Sequence, residues 1–295
     1  MTKVIVITGC SAGFGFDGAK QLASKGHIVH ATMRNVDGKN ADAASQLRNF
    51  ATSESVKLKV AELDVESDDS VSQAIASIAA DEGRIDVLIN NAGLGYGGPG
   101  ETILSSQFAR QLDVNVVGAH RCTNAVLPHM RKQRSGLLIH VTSVAGRITM
   151  PGFALYCASK YALEAYGEAL RYELGGLGIE SVIVEPGPFD TSFFTNMVPG
   201  GNPDVMAAYG NIGEYIQGFM DTVQGMFKDE SVPTDPKLVA DAFVDLVDAP
   251  HGQRPVRTVV GFDFGVRAIN DQLESARQEA MKANDTAAFD QVATN

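Results

Sequence analysis

The chain has 295 residues, of which 44% are hydrophobic and 20% charged, and its formal net charge is −11. This is ordinary globular composition, with room for one large α/β domain or two small ones. An acidic chain is poorly suited to nucleic acid, which needs a basic surface, and this one has no polybasic cluster for an anionic membrane. We therefore expect neither a nucleic-acid nor a membrane partner.

The cysteines and histidines suggest no metal or disulfide framework. Cys10, Cys122 and Cys157 are widely spaced and odd in number, so we interpret them as reduced thiols of a cytoplasmic protein. The six histidines show no ligand spacing, and we expect no catalytic metal. The first apolar run ends at Gly9, too early for a signal peptide, and no stretch approaches the ~20 apolar residues of a membrane span.

Short β-branched segments alternate with longer segments of helical periodicity. The predicted strands lie at 3–8, 27–32, 56–63, 85–90, 136–143, 179–186 and 256–262. The predicted helices lie at 14–25, 40–53, 67–82, 105–133, 156–176 and 235–248. Strands that are apolar on both faces and alternate with helices indicate a parallel sheet covered on both sides. The fold class we predict is therefore α/β, with about seven strands and right-handed crossovers.

No linker or shift in composition divides the chain, so we predict a single domain over residues 1–295. Two segments depart from the alternation. Residues 188–232 form an insertion rich in Met, Gly and aromatic residues, and residues 266–295 form a charged tail that we predict to be helical and peripheral. The insertion suits an adaptable apolar pocket under a mobile lid, although a helix pair that buries its own core would give the same pattern.

The first strand leads directly into the glycine-rich stretch TGCSAGFG. A strand, a glycine turn and a helix form a phosphate site, because the N–H groups and the dipole of the helix N-terminus attract an anion. Gly9 would permit the tight turn, while Gly13 and Gly15 would permit close approach of phosphate and of helix to strand. The loop therefore predicts dinucleotide binding, with Ser11 and Phe14 among the contacts.

The stretch YCASK places Tyr156 and Lys160 one helical turn apart, so that their side chains share a face. A phenol with an ordinary pKa near ~10 is a weak acid at neutral pH, and a neighbouring cation lowers that pKa. The five residues alone could equally be a surface pair on an ordinary helix. The other motifs of the chain decide between the two interpretations.

Taken together, the motifs resemble the short-chain dehydrogenase/reductase family from Thr2 to about residue 262. TGCSAGFG resembles the family's TGxxxGxG loop, NNAG at 90–93 the motif closing the fourth strand, and PGPFDT at 186–191 the PG motif followed by a threonine. Ser143 precedes Tyr156 by the family's usual thirteen residues. The TGCS, ATMR and VEPGPFDTSF stretches further resemble the steroid and retinol dehydrogenase branch.

This resemblance implies a Rossmann-type doubly wound sheet of order 3-2-1-4-5-6-7 and hydride transfer between a nicotinamide and a carbonyl or secondary alcohol. The implied catalytic residues are Asn115, Ser143, Tyr156 and Lys160. Tyr156 would be the general acid or base, and Lys160 would lower its pKa and hold the nicotinamide ribose. Ser143 would stabilise charge on the substrate oxygen, and Asn115 would join Lys160 through water in a proton relay.

The resemblance also implies cofactor contacts beyond the glycine loop. Those near the ribose, the adenine and the nicotinamide are Asp64, Val65, Asn91, Ala92, Gly93, Pro186, Gly187 and Thr191, together with Tyr156 and Lys160. Asp64 would meet the adenine ring, and Thr191 would lie near the carboxamide. Asp64 could instead be a helix N-cap before the helix at 67–82.

The end of the second strand bears on the choice of cofactor. By resemblance, the acid that binds the 2′-hydroxyl in NAD-specific sites corresponds to Met33, which cannot accept that bond. Arg34 can donate bidentate hydrogen bonds to a 2′-phosphate, worth ~1.5–3 kcal/mol or about ten- to a hundred-fold. Ala12 stands where many NADP-using relatives carry a basic residue. We therefore predict that NADP(H) is preferred and that NAD(H) can also be used.

Two other functions are compatible with parts of the pattern. A non-catalytic dinucleotide sensor could share the fold, although it would not need Tyr156 or Lys160. A sugar-nucleotide epimerase or dehydratase could also share it, although such enzymes usually carry GxxGxxG instead of GxxxGxG. In the family, the helices that correspond to 105–133 and 156–176 commonly pair across two-fold axes, so we predict a homodimer or homotetramer. We interpret Glu164 as part of a solvated or interface face.

Overall fold

The computed structural model describes residues 1–200 and 202–293; residue 201 of the insertion and residues 294–295 of the tail lie outside the described part. Within it, seven strands form one parallel sheet: β1 (Val4–Ile7), β2 (Ile28–Met33), β3 (Leu58–Glu62), β4 (Val87–Asn90), β5 (Gly136–Val141), β6 (Ile179–Pro186) and β7 (Arg257–Val260). Their order is β3-β2-β1-β4-β5-β6-β7, which confirms the predicted doubly wound topology.

Helices cover both faces of the sheet. The α-helices of the described residues are α1 (Gly13–Ser24), α2 (Ala41–Ser53), α3 (Asp68–Glu82), α4 (Ser105–Leu112), α5 (Gly118–Gln133), α6 (Ala154–Leu174), α7 (Ser192–Thr195), α8 (Pro203–Met206), α9 (Asn211–Met226), α10 (Lys237–Asp248) and α11 (Val266–Ala283). Alternate side chains of β1 point to opposite faces of the sheet and pack in two separate hydrophobic cores. Ile5 and Ile7 pack with α1, α2 and α10, whereas Val4 and Val6 pack with α3, α5 and α6. None of these helices is long and apolar enough to cross a bilayer.

The predicted helix at 105–133 is interrupted. A π-helical turn, Asp113–Val117, separates α4 from α5. Asn115 lies in this turn, where its side chain accepts a hydrogen bond from the Leu94 N–H at 2.9 Å and donates one to the Leu94 carbonyl at 2.9 Å. The turn adds one residue and shifts the helical phase by about 100°, but the segments on either side keep their own apolar periodicity, so the sequence predicted one continuous helix.

A second feature that the sequence did not predict is a two-stranded parallel ribbon. Tyr96–Gly97, which follows β4, pairs with Val198–Pro199 of the insertion. Strands of two residues are too short to give any periodic signal. The ribbon joins the insertion, which contains α7, α8 and α9, to the end of β4.

The interpretation of Glu164 as a solvated or interface residue is wrong. Its side chain is only 3% exposed, and it accepts hydrogen bonds from the Thr142 hydroxyl at 2.5 Å and from Arg257 Nε at 2.9 Å. Arg257 comes from β7, about ninety residues further along the chain. Because Arg257 is so remote in sequence, no pattern near Glu164 indicates the ion pair, and Glu164 was interpreted as a surface charge.

The same buried cluster contains Glu185, near the end of β6. Its side chain is fully buried, and its Oε2 accepts a hydrogen bond from Asn270 of α11 at 2.5 Å. Arg257 and Arg147 lie 3.6 Å and 3.8 Å from its other oxygen. Burial, followed by the charge of Glu164, raises the pKa of Glu185 to about 8.

Candidate active site

The glycine turn after β1 fits a phosphate group. Gly9 has a positive φ of 72°, and a Cβ there would lie 2.8 Å from the Ala92 Cα, so a side chain is excluded. Helix α1 begins at Gly13, and its N-cap, Ala12, offers no side-chain hydrogen bond to the N–H groups of the first turn. These donors and the helix dipole suit the diphosphate of a dinucleotide.

Gly15 lies where the first helix approaches the strand ends closely, as the glycine loop predicted. It does not line the cavity next to the glycine turn, and a Cβ on it would lie 2.5 Å from Asn91 Nδ2 and 2.7 Å from the Gly9 carbonyl oxygen. Gly15 therefore lets α1 pack closely against the ends of β1 and β4. Direct contact of Gly15 with the cofactor stays a prediction.

The NNAG motif is held in place by Thr8. The Thr8 hydroxyl accepts hydrogen bonds from the N–H groups of Asn91 and Ala92, both at 3.0 Å, and Asn91 Nδ2 donates to the Thr8 carbonyl at 2.9 Å. These bonds tie the end of β4 to the end of β1, where Asn91, Ala92 and Gly93 line the cavity. Sequence reasoning did not assign Thr8 a role, although its position just before Gly9 was the available signal.

Asp64 lines one end of the cavity together with Met33 and Arg34, and we call this the adenosine end because the resemblance assigns the adenosine to it. Its N–H donates to the Ser70 hydroxyl at 2.9 Å, and its Oδ1 accepts from the Glu66 N–H at 3.1 Å. The N-cap of α3 is Ser67, whose hydroxyl accepts from the Ser70 N–H at 3.2 Å. The alternative interpretation of Asp64 as that N-cap is therefore wrong.

Arg34 also lines this end of the cavity, next to Met33, and it already has an anionic partner. Arg34 Nη1 donates to Glu66 Oε2 at 2.7 Å. Glu66 lines the cavity as well, and sequence reasoning missed it because it lies in a short loop with no recognisable motif. The Arg34 guanidinium, which was predicted to bind a 2′-phosphate, therefore already donates a hydrogen bond to the Glu66 carboxylate.

At the other end of the cavity, Lys160 and Tyr156 lie on α6. Lys160 Nζ donates to the Val141 carbonyl at 3.0 Å and lies 5.7 Å from the centroid of the Tyr156 ring. The Ser143 hydroxyl, at the end of β5, accepts from the Ala145 N–H at 3.1 Å and donates to the Pro186 carbonyl at 3.3 Å. The spacing of YxxxK and the end of β5 thus bring the three polar side chains to one wall.

Burial dominates the electrostatics of this wall. It lowers the pKa of Lys160 to about 8, an effect that the charge of Glu164 partly offsets. Burial raises the pKa of Tyr156 above its ordinary value, and a hydrogen bond with Ser143 partly offsets that rise. In the protein alone, desolvation of the phenolate therefore outweighs the effects that lower the pKa of Tyr156, and the lowering of that pKa by Lys160 stays a prediction.

Asn115 lies behind this wall and does not line the cavity. Its Nδ2 donates to the Ser159 hydroxyl at 3.0 Å, in addition to the bonds with Leu94. A Cβ on Gly93 would lie 3.4 Å from Asn115 Oδ1 and 3.7 Å from Lys160 Nζ, so both polar groups approach the same glycine. The water-mediated relay between Asn115 and Lys160 stays a prediction.

Aromatic rings form the remaining wall. The Phe193 ring lies 5.2 Å from the Tyr156 ring and 5.5 Å from the Phe194 ring, measured between centroids. The Phe153 and Phe219 rings, which also line the cavity, are 5.5 Å apart. Phe193 and Phe194 belong to α7 and Phe219 to α9, so the insertion supplies most of this apolar surface.

One cavity of about 360 Å³ therefore joins the glycine turn, the adenosine end and the Tyr156 wall. The predicted site residues that line it are Gly9, Ser11, Gly13, Phe14, Arg34, Asp64, Val65, Asn91, Ala92, Gly93, Ser143, Tyr156, Lys160, Pro186, Gly187 and Thr191. Gly15 and Asn115 support it from behind.

A doubly wound sheet with a glycine turn at its switch point, and with Ser, Tyr and Lys beside it, defines a dinucleotide-dependent oxidoreductase. A match to the short chain dehydrogenase family spans residues 3–200, and the chain belongs to that family. It is accordingly an NAD(P)-dependent dehydrogenase or reductase.

Individual relatives agree with this assignment. The chain is 34% identical to 3-ketodihydrosphingosine reductase of Bacteroides thetaiotaomicron over 88% of both chains. It is 35% identical to human 17-beta-hydroxysteroid dehydrogenase type 1 over 84% of this chain and 74% of that one. The crystal structure of a short-chain dehydrogenase from Streptomyces avermitilis, 28% identical, matches 98% of each chain with a TM-score of 0.74. The resemblance to the steroid and retinol dehydrogenase branch is thereby confirmed.

Proposed function

We propose that this protein interconverts a carbonyl and a secondary alcohol on an apolar, medium-sized substrate, prefers NADP(H), and uses Tyr156 as its general acid or base. The observation that carries the proposal is the single cavity that joins the glycine turn and Arg34 at one end to Tyr156, Ser143 and Lys160 at the other. Its aromatic wall supports the apolar substrate.

A bound nicotinamide would donate or accept the hydride, and the chain's own residues would bind it and handle the proton. The first turn of α1, with Gly9 and Gly13, would hold the diphosphate. Residues at the end of β6, Pro186 and Gly187, and the neighbouring Thr191 would border the nicotinamide.

In the reductive direction, the Tyr156 hydroxyl would donate its proton to the substrate oxygen as negative charge develops there. The Ser143 hydroxyl would turn from the Pro186 carbonyl to the same oxygen and stabilise that charge. The Lys160 ammonium would stabilise the phenolate that remains. In the oxidative direction, the phenolate would take the proton from the alcohol.

The substrate class is supported by two independent features. Phe193 and Phe194 of α7, with Phe219 of α9 and Phe153, make the wall beside Tyr156 aromatic. Two relatives are named for a ketodihydrosphingosine and for a 17-beta-hydroxysteroid. Both features favour lipophilic carbonyl compounds over small charged ones.

The preference for NADP(H) is supported by Met33 and Arg34, since the position of the NAD-binding acid is apolar and an arginine follows it. Because Glu66 shares Arg34, we place the preference near the lower end of the expected range, at about ten-fold. NAD(H) would remain a usable cofactor.

The assembly and the location are each proposed on a separate observation. The outward face of α6 carries Ala158, Tyr161, Ala165 and Ala169, all exposed, which supports close pairing of two copies as a homodimer or homotetramer. All three cysteines are buried and unpaired, which supports a cytoplasmic location. A sedimentation profile showing only monomer would refute the first of these proposals.

The decisive experiment is a screen of ketones, aldehydes and secondary alcohols with NADPH and with NADH, read as kcat/KM. We expect lipophilic carbonyls to be turned over with NADPH at about ten times the efficiency seen with NADH. A strong preference for small charged carbonyls would refute the substrate class, and equal or better efficiency with NADH would refute the cofactor preference. Cofactor binding without turnover of any compound would favour a dinucleotide sensor.

A further inference from the structure

Glu66 forms the centre of a cluster of charges at the adenosine end of the cavity. Its carboxylate accepts hydrogen bonds from Arg34 Nη1 at 2.7 Å, from Arg110 Nε at 2.9 Å and from Arg110 Nη2 at 3.2 Å. The hydrogen bond from Arg110, followed in size by the opposing effect of burial, leaves the pKa of Glu66 below its ordinary value. Glu66 is therefore an anion at neutral pH, inside the region where a 2′-phosphate would enter.

The backbone that carries Arg34 is fixed. Asn40 Nδ2 donates to the Arg34 carbonyl at 2.7 Å. The next two N–H groups, of Asn35 and Val36, donate to the Glu62 carboxylate at 2.7 Å and 2.9 Å, and Asn35 has a positive φ of 52°. Since the loop is tied down in this way, Arg34 can choose between partners mainly by rotating its side chain.

Glu66 is anchored independently of Arg34. Arg110, on α4, holds the carboxylate with two nitrogens, and the Glu66 N–H donates to Asp64 Oδ1 at 3.1 Å. Arg34 has a single hydrogen bond to Glu66, and 42% of its side chain is exposed. The Arg34–Glu66 pair can thus be exchanged at little cost, but the acid stays in place after Arg34 leaves it.

We propose that Glu66 is a specificity-determining residue which limits the preference for NADP(H) by competing with the 2′-phosphate for Arg34. The inference rests on the proposed function, in which Arg34 reads that phosphate. A phosphate that enters must displace a carboxylate from the guanidinium and then remain near the displaced negative charge. A 2′-hydroxyl carries no charge and meets neither cost.

The test measures binding of cofactor fragments to the whole protein by calorimetry. 2′,5′-ADP differs from 5′-AMP only by the 2′-phosphate, so the ratio of their dissociation constants isolates the contribution of that phosphate. We expect Glu66→Gln to increase the preference for 2′,5′-ADP by roughly five-fold, because an exchangeable surface pair has an effect of this order. The matched control is Asp37→Asn, which removes an exposed charge of the same loop region that does not line the cavity, and we expect it to leave the ratio within about two-fold.

A double-mutant cycle tests the competition itself. In a protein that already carries Arg34→Ala, we expect Glu66→Gln to increase the ratio by clearly less than it does in the presence of Arg34, since only the repulsion between carboxylate and phosphate remains and there is no arginine left to release. A decrease or no change in the ratio for Glu66→Gln alone would overturn the inference, and so would an increase that persists fully without Arg34. Thermal unfolding of each variant shows whether it has folded.

Failure of the proposed function gives a different result. If the unmutated protein bound neither fragment, both the dinucleotide site and the inference would be refuted. If it bound both fragments with a ratio that Glu66→Gln did not change, the inference alone would be refuted.

Discussion

The Lys160 ammonium lies 5.7 Å from the centroid of the Tyr156 ring and donates its hydrogen bond to the Val141 carbonyl at 3.0 Å. The cation therefore acts on the phenol through space. Lys160 is buried and Tyr156 is half-buried, so each charge is costly alone, and the positive charge of Lys160 becomes most valuable when Tyr156 is a phenolate. This relationship separates the effects expected from changing the two residues.

Tyr156→Phe should abolish turnover while leaving the dissociation constant of the cofactor within about two-fold, because general acid–base catalysis is lost and little contact area changes. Steady-state rates and cofactor titration measure the two quantities. Tyr161→Phe is the matched control, since this exposed tyrosine lies on the same helix. A Tyr156→Phe variant that kept most of its rate would show that the assigned acid is wrong.

Lys160→Met should lower both turnover and cofactor affinity, since the charge is lost from the proton-transfer site and from the proposed ribose contact. In the unmutated protein, the Lys160 pKa of about 8 predicts that cofactor affinity falls as pH rises through 8, where the ammonium loses its proton. Cofactor titrations between about pH 6 and 10 should show this fall, which begins at the pKa that Lys160 has in the cofactor-free protein. Lys160→Met should lack it, and an identical fall in the variant would contradict the assignment.

Glu185→Gln should change how stability depends on pH. The folded pKa of Glu185, about 8, lies above the ordinary value of 4.5, so the folded state binds more protons than the unfolded chain between these two values. Its contribution to the free energy of unfolding is therefore full below pH 4.5 and is lost as pH rises to 8.

We accordingly expect the variant to be more stable than the unmutated protein above pH 8 by roughly 1–3 kcal/mol, a difference that shrinks toward pH 5. Urea unfolding at several pH values measures it, and the exposed Glu173→Gln on α6 is the control. A difference that did not vary with pH would mean that Glu185 is not protonated in the folded protein.

Gly187→Ala should destabilise the fold at the end of β6. A Cβ on Gly187 would lie 1.9 Å from the Phe262 carbonyl oxygen, which is backbone and cannot rotate away. We expect a loss of about 3 kcal/mol in the free energy of unfolding, at the upper end for overpacking. The control is Gly218→Ala in α9, where a Cβ meets nothing within 4 Å and helix propensity predicts a gain of ~0.5–1 kcal/mol.

The parts of the fold that were predictable from sequence are those with a local periodic signal. β1 and its glycine turn, and the spacing of Ser143, Tyr156 and Lys160, each depend on neighbouring residues, and the parallel topology follows from alternation. The family resemblance then assembled these pieces into one site. The order of the strands in the sheet came from the family resemblance, because the topology rules restrict that order without fixing it.

The parts that were not predictable depend on contacts between distant residues. In the sequence, Glu164 resembles a surface charge, but in the structure it binds Arg257 of β7. Glu66 likewise resembles an ordinary loop acid, although Arg34 and Arg110 both bind it. The raised pKa of Tyr156 is similarly a property of its burial, which the sequence alone did not reveal. Such contacts determine which groups are charged and how their pKa values shift. The electrostatics of the site was therefore less predictable from the sequence than the identity of the residues that form it.

The π turn at Asp113–Val117 contains one residue more than an α-helical turn, and this extra residue sets the rotation of α4 relative to α5. Removing Val116 from it would restore a continuous α-helix and rotate α4 by about 100° relative to α5. Arg110 would then turn away from Glu66, and Gln111, whose Oε1 accepts from the Tyr96 N–H at 2.8 Å, would leave the ribbon. A one-residue deletion would thus reach the adenosine end and the substrate insertion at once, although the deleted residue does not itself line the cavity.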